Sequence, residues 1–189
     1  MKPTSNDINF NVLDVANVAL KNLYTFFVFG LVLQIRPKNV LEVGVGNCPN
    51  SAHMILQALN YNERFGVQGK YHGIDTYVPD YFNKIFAPFL TETNHQYIQG
   101  NSADPKFFQG LPVMDLVLID GNHSFANVLA DTKNVMEANI FAHDGYFVYH
   151  DIQFSQTKIA ISYAIERFKM NAFFMPKENI CIARLKYDE

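Results

Sequence analysis

The sequence predicts a doubly wound α/β domain, with seven strands in a mostly parallel sheet and helices on its faces. Three observations carry that prediction. From residue 39 onward, short apolar runs alternate with stretches of helical periodicity. The first run enters a glycine pair, Gly44 and Gly46, and three later runs end in an aspartate or just before one. At 189 residues and 49% hydrophobic content, the chain is sized for one domain with a substantial core. That domain spans 1–189, as an N-terminal helical region (1–38) and an α/β core (39–189).

In order, residues 7–35 read as one or two helices. Residues 39–43 form a first strand, and 51–59 a helix with Ala52, Ile55, Leu56 and Leu59 on one face. Residues 71–75, 95–98 and 114–120 supply the next three strands, the last of them uniformly apolar except for its acids. A helix over 124–138 leads to a fifth strand at 145–149. A helix over 157–168 precedes two short terminal strands, 173–175 and 180–185. His72 reads as a strand residue, His143 as a turn residue and His53 as lying on a helix surface. Phe107, Phe108 and Phe125 are divided between pocket and core.

Composition removes several functions. A net charge of −3 and scattered basic residues give no footprint for a nucleic-acid backbone. Cys48 and Cys181 are too far apart for a CxxC pair, so neither a disulfide scaffold nor a structural zinc site is indicated. The longest apolar run, 23–35, is shorter than the roughly 20 residues a membrane span requires. The N-terminus has no signal-peptide pattern, so a cytoplasmic protein is expected.

In doubly wound sheets, ligands bind outside the carboxyl ends of the strands. The residues predicted at that edge are Gly44 and Gly46, Asp75, Asn101 and Ser102, Asp120 and His123, and His150 and Asp151. Glycines after a strand let backbone approach a ligand where a Cβ would collide. An acid ending the second strand suits ribose hydroxyls. Pro49 stands where a dinucleotide fingerprint has its third glycine, which argues against that particular loop.

Four segments in this order resemble the class I S-adenosylmethionine-dependent methyltransferases: Val40-Leu-Glu-Val-Gly-Val-Gly46, Gly73-Ile-Asp-Thr-Tyr77, Asp115-Leu-Val-Leu-Ile-Asp-Gly-Asn-His-Ser124 and His150-Asp151. The likeness is to the branch of small-molecule O-methyltransferases that includes macrocin-type sugar methyltransferases and cephalosporin-hydroxylase-like proteins. It implies a Rossmann-like fold and S-adenosylmethionine as cofactor. It implies a cofactor site in which Gly44 and Gly46 hold the methionine part with Glu42 at the loop's base, Asp75 binds the ribose, Asn101 and Ser102 flank the adenine, and Asp120 borders the cofactor. It further implies that Asp120 and Asp151 bind Mg2+ and that His123 is the base.

Carboxylates at 120 and 151 suit a hard divalent cation, while an imidazole at His150 shifts preference toward softer ones. The acceptor is read as a small molecule, possible substrates being a sugar or natural product hydroxyl. The segment 77–90 is read as a lid or a packing helix, and exposed aromatic faces suggest a homodimer. Two alternatives remain at this point: an NAD-dependent oxidoreductase and a non-catalytic cofactor-binding module.

Overall fold

A computed structural model of the protein describes residues 23–46, 50–77 and 94–186. The helical reading of residues 7–22, the thiol of Cys48, the proline at 49 and the lid reading beyond Tyr77 lie outside the described residues. The elements run α1 (Leu23–Ile35), β1 (Asn39–Val43), α2 (Asn50–Glu63), β2 (Lys70–Asp75) and β3 (His95–Gln99). After a single 3-10 turn (Pro105–Phe108) come β4 (Met114–Ile119), α3 (Phe125–Glu137), β5 (Phe141–His150), α4 (Ser155–Arg167), β6 (Met170–Met175) and β7 (Ile180–Leu185).

The seven strands form one sheet in the order β3-β2-β1-β4-β5-β7-β6. Strands β1 to β5 pair in parallel, and β7 lies antiparallel between β5 and β6. The order reverses between β1 and β4, so a crevice opens there at the carboxyl edge.

Alternation along the strands divides the core into two faces. Leu41, Val43, Val117, Ile119, Phe147 and Tyr149 point to one side, where Val128 and Val135 of α3 and Ala160 and Ile161 of α4 cover them. Val40, Leu116, Leu118 and Val148 point to the other, beneath Val28 and Val32 of α1 and Ile55, Leu56 and Leu59 of α2. Each full burial of such a side chain contributes about 1.5–3 kcal/mol. This two-sided burial is why β1 and β4 are apolar almost throughout. Phe108 is fully buried, and Phe107 and Phe125 pack against the same cluster, so all three belong to the core.

Helix ends follow local chemistry. Ser124 caps α3 by accepting from the Asn127 N–H at 3.3 Å. Asn139 and Lys169 take left-handed backbone just beyond α3 and α4 and end them.

One expectation is corrected. His143 lies within β5, not in a turn, because the strand starts at Phe141. Asp144-Gly145, a dipeptide common in turns, sits where the β4–β5 register shifts, between Met114↔Phe141 and Leu116↔Tyr146. An irregularity in the ladder absorbs the extra residues without ending the strand. His72 is a strand residue and is buried; that burial drives its pKa down to about 4, so the ring is neutral.

Candidate active site

The crevice between β1 and β4 is built first from backbone. Gly44 follows β1 with φ +88°, and a Cβ there would lie 2.4 Å from the Asp120 carbonyl and the Gly121 backbone. Only glycine permits the two strand ends to approach so closely. Gly46 has open space around it but φ +66°, so its requirement is conformational. The Gly46 N–H donates to Asp75 Oδ2 at 2.8 Å, which ties the loop to the end of β2. Asp75 Oδ1 accepts from the Tyr77 N–H at 3.0 Å.

These residues border a cleft of about 410 Å³. Of the seven residues predicted at a cofactor site, six line it: Gly44, Gly46, Asp75, Asn101, Ser102 and Asp120. Thr76, Gly121, Asn122 and Asn127 join them without having been foreseen. The seventh, Glu42, does not. It is fully buried behind the loop, where one carboxylate oxygen accepts from the Ser51 hydroxyl and the other from Tyr71 Oη at 2.5 Å. Burial pushes its pKa up to about 8, against the opposing pull of those two hydroxyls. Any influence of Glu42 on the cleft passes through Ser51, Tyr71 and the loop it underlies.

The second part of the site is made of side chains. Asp120, His123, His150 and Asp151 converge at the ends of β4 and β5. His150 Nδ1 lies 2.8 Å from Asp120 Oδ1 and 3.5 Å from Asp151 Oδ2. His123 Nε2 lies 2.7 Å from the same Asp151 Oδ2. His123 sits just before the Ser124 cap and not inside α3, and its side chain is 40% exposed while those of the other three are mostly buried. Asp151 adopts φ +57°, left-handed backbone that aspartate and asparagine tolerate better than other non-glycine residues.

Two remote elements complete the cluster. Tyr24 of α1 donates to Asp120 Oδ2 at 3.1 Å and stacks its ring on His150 with centroids 3.7 Å apart. Burial first, then the Asp120 charge, keeps its phenol well above the usual range, so it stays a donor. Asn179, in the β6–β7 turn, donates to Asp151 Oδ1 at 2.7 Å. No signal in the sequence pointed to Tyr24, which sits in an apolar run, or to Asn179, which falls between the two terminal strands.

Asp120, His150 and Asp151 present donor atoms within 4.8 Å of one another. Two carboxylates and an imidazole form a donor set that a divalent cation such as Mg2+ or Mn2+ accepts. The fit is therefore sound in chemistry and in span. A proton on His150 Nδ1 and a cation between these groups are alternative occupants of one small space.

A family model described as a methyltransferase domain matches residues 41–152, which include β1, the cleft and the acid–histidine cluster. The chain belongs to this methyltransferase family. No curated protein matches it significantly. Similar solved structures include the methyltransferase PaMTH1 of Podospora anserina with S-adenosylhomocysteine bound, at 11% identity and TM-score 0.65, covering 98% of this chain and 100% of that one. CalS11, a TDP-rhamnose 3'-O-methyltransferase of calicheamicin biosynthesis, is 13% identical at TM-score 0.68, with 97% and 86% covered. TomG of Streptomyces achromogenes, an O-methyltransferase of tomaymycin synthesis solved with S-adenosylmethionine, is 11% identical at TM-score 0.60, with 86% and 79% covered. At such identities the likeness establishes the Rossmann-like methyltransferase fold. The family match also removes the oxidoreductase alternative. No described helix of the methyltransferase is long and apolar enough to cross a membrane.

Proposed function

We propose that the protein transfers a methyl group from S-adenosylmethionine to a hydroxyl of a small-molecule acceptor, with help from a divalent cation, in the cytoplasm. One observation carries this reading. Asp120 both lines the cleft behind Gly44 and anchors the acid–histidine cluster, so a cofactor pocket and a proton-handling site share a wall. The solved neighbours PaMTH1, CalS11 and TomG support the cofactor and the acceptor atom.

The cofactor would supply an electrophilic methyl on sulfur. Asp75 would hold its ribose, Asn101 and Ser102 would border its adenine, and Gly44 and Gly46 would lie under its methionine end. A cation, where bound, would be held by Asp120, His150 and Asp151 and would acidify an acceptor hydroxyl. His123 takes the hydroxyl proton. Its Nε2 lies 2.7 Å from Asp151 Oδ2 without the alignment of a hydrogen bond, so the carboxylate acts on the ring through the proximity of its charge. His123 is also the most exposed of the four, as contact with an incoming acceptor requires. Tyr24 fixes Asp120 and His150 from the side of α1. The exposed Phe26 and Leu23 on that helix suit pairing as a homodimer, and the net charge of −3 gives no reason to expect nucleic acid.

Calorimetry with S-adenosylhomocysteine and with NAD, followed by transfer of labelled methyl to a panel of phenolic and sugar hydroxyls with Mg2+ or with chelator, tests the reading. Binding of S-adenosylhomocysteine but not NAD, with turnover that falls at least tenfold in chelator, is the expected result. Full activity in chelator removes the cation. Cofactor binding with no acceptor ever methylated leaves a non-catalytic binding module.

A further inference from the structure

We infer that Asn179, in the turn between β6 and β7, is a positioning residue for methyl transfer, holding Asp151 so that its second oxygen serves His123. The inference rests on the reading of His123 as the base.

Asn179 is 28 residues from Asp151 and belongs to the antiparallel end of the sheet, outside the segment that matches the family model. Its side-chain amide is used at both ends. Nδ2 donates to Asp151 Oδ1 at 2.7 Å, and Oδ1 accepts from the Gln153 backbone N–H at 2.9 Å. The Gln153 side chain adds a second donor to Asp151 Oδ1 at 3.2 Å. Asp151 is thereby asymmetric: Oδ1 is saturated by two amides, and Oδ2 is turned toward His123 at 2.7 Å and His150 at 3.5 Å.

The backbone is built for the same contact. Asn179 has φ +58°, which asparagine tolerates better than most residues, and its N–H closes the turn onto the Pro176 carbonyl at 3.3 Å. Asp151 itself lies in left-handed backbone just past the end of β5, and the Asn179 amide reaches it from the neighbouring hairpin. Partners that orient a functional carboxylate in this way are commonly worth about 10–100-fold in activity or metal affinity.

Two substitutions separate positioning from support of the turn. Asn179→Gly keeps the left-handed backbone comfortable and removes the amide. Asn179→Asp keeps the turn and the acceptor for Gln153 but sets a carboxylate oxygen against Asp151 Oδ1. The expected result for Asn179→Gly is an unchanged affinity for S-adenosylhomocysteine, a kcat reduced about 10–100-fold and a KM within about threefold. Asn179→Asp should lose at least as much kcat despite its near-identical shape. A role confined to the turn predicts the opposite ranking, with Asn179→Asp near wild type and the melting temperature tracking activity, and that outcome overturns the inference.

The imidazole NMR signal of His123 at fixed pH gives a readout free of any acceptor. It should move in both variants relative to wild type. An unmoved signal refutes the positioning role even if transfer is never observed. A moved signal with no methyl transfer by wild type counts against the base reading and leaves the Asn179–Asp151–His123 linkage standing.

Discussion

The cofactor cleft and the acid–histidine cluster share Asp120, yet they are constructed on different principles. The cleft is mostly backbone and short-range chemistry. Gly44 and Gly46 make room, the Gly46 N–H meets Asp75, and every contributor except Asn127 of α3 lies at or just after a parallel strand. The cluster is mostly side chains, and its orientation comes from far away: Tyr24 lies 96 residues from Asp120, and Asn179 lies 28 from Asp151. The difference teaches that binding is specified by local conformational needs, whereas proton handling depends on the assembled fold.

The largest expected effect separates the two halves directly. His123→Ala should lower kcat by about 10²–10⁴-fold, the usual worth of a general base, with affinity for S-adenosylhomocysteine within about threefold of wild type. A parallel loss of cofactor affinity would merge the two regions and break the comparison. Steady-state kinetics and calorimetry on the same variant decide it.

The converse substitution has a smaller effect. Asp75→Ala removes a charge-assisted acceptor worth roughly 1.5–3 kcal/mol, or about 10–100-fold in cofactor affinity. It also frees the Gly46 N–H, so part of the loss comes from a loosened loop. Transfer rate at saturating cofactor should remain within about fivefold of wild type. An unchanged affinity removes Asp75 from the cofactor site.

The smallest effect concerns the layer beneath both regions. Glu42 has its pKa raised by burial to about 8, so the folded state holds this proton more tightly than the unfolded chain does. Its contribution to stability is full below pH 4.5 and is lost as pH rises toward 8. Glu42→Gln should remove that loss, flattening stability between pH 5 and 8 by roughly 1–4 kcal/mol, as read by urea denaturation. His72 works in the other direction: its pKa, lowered to about 4, makes the fold less stable as pH falls below 6.5. An unflattened curve in Glu42→Gln would mean that the Ser51 and Tyr71 hydroxyls keep the carboxylate charged.

Much of the fold was legible because strand burial writes itself into sequence. Val40, Leu41 and Val43, and the run 116–119, are apolar on both faces, as two covered faces demand. The β5 boundary was not legible, because Asp144-Gly145 has turn chemistry and only the register with β4 shows the strand passing through it. Glu42 illustrates a different failure. An acid at the base of a glycine loop looks ligand-facing in one dimension, but period-2 alternation and the α2 helix bury it against Ser51 and Tyr71.

By itself, then, the sequence determined the parallel sheet, the order of its strand ends and the presence of Gly44, Gly46, Asp75, Asp120, His123, His150 and Asp151 at one edge, since periodicity and glycine requirements act over a few residues. Tertiary structure alone decided which carboxylate faces which imidazole, that Tyr24 covers His150, and that Asn179 turns Asp151 toward His123. Hydrogen bonds of that kind depend on ångström-scale placement by helices and hairpins far apart in the chain, and no local pattern encodes a distance across the sheet.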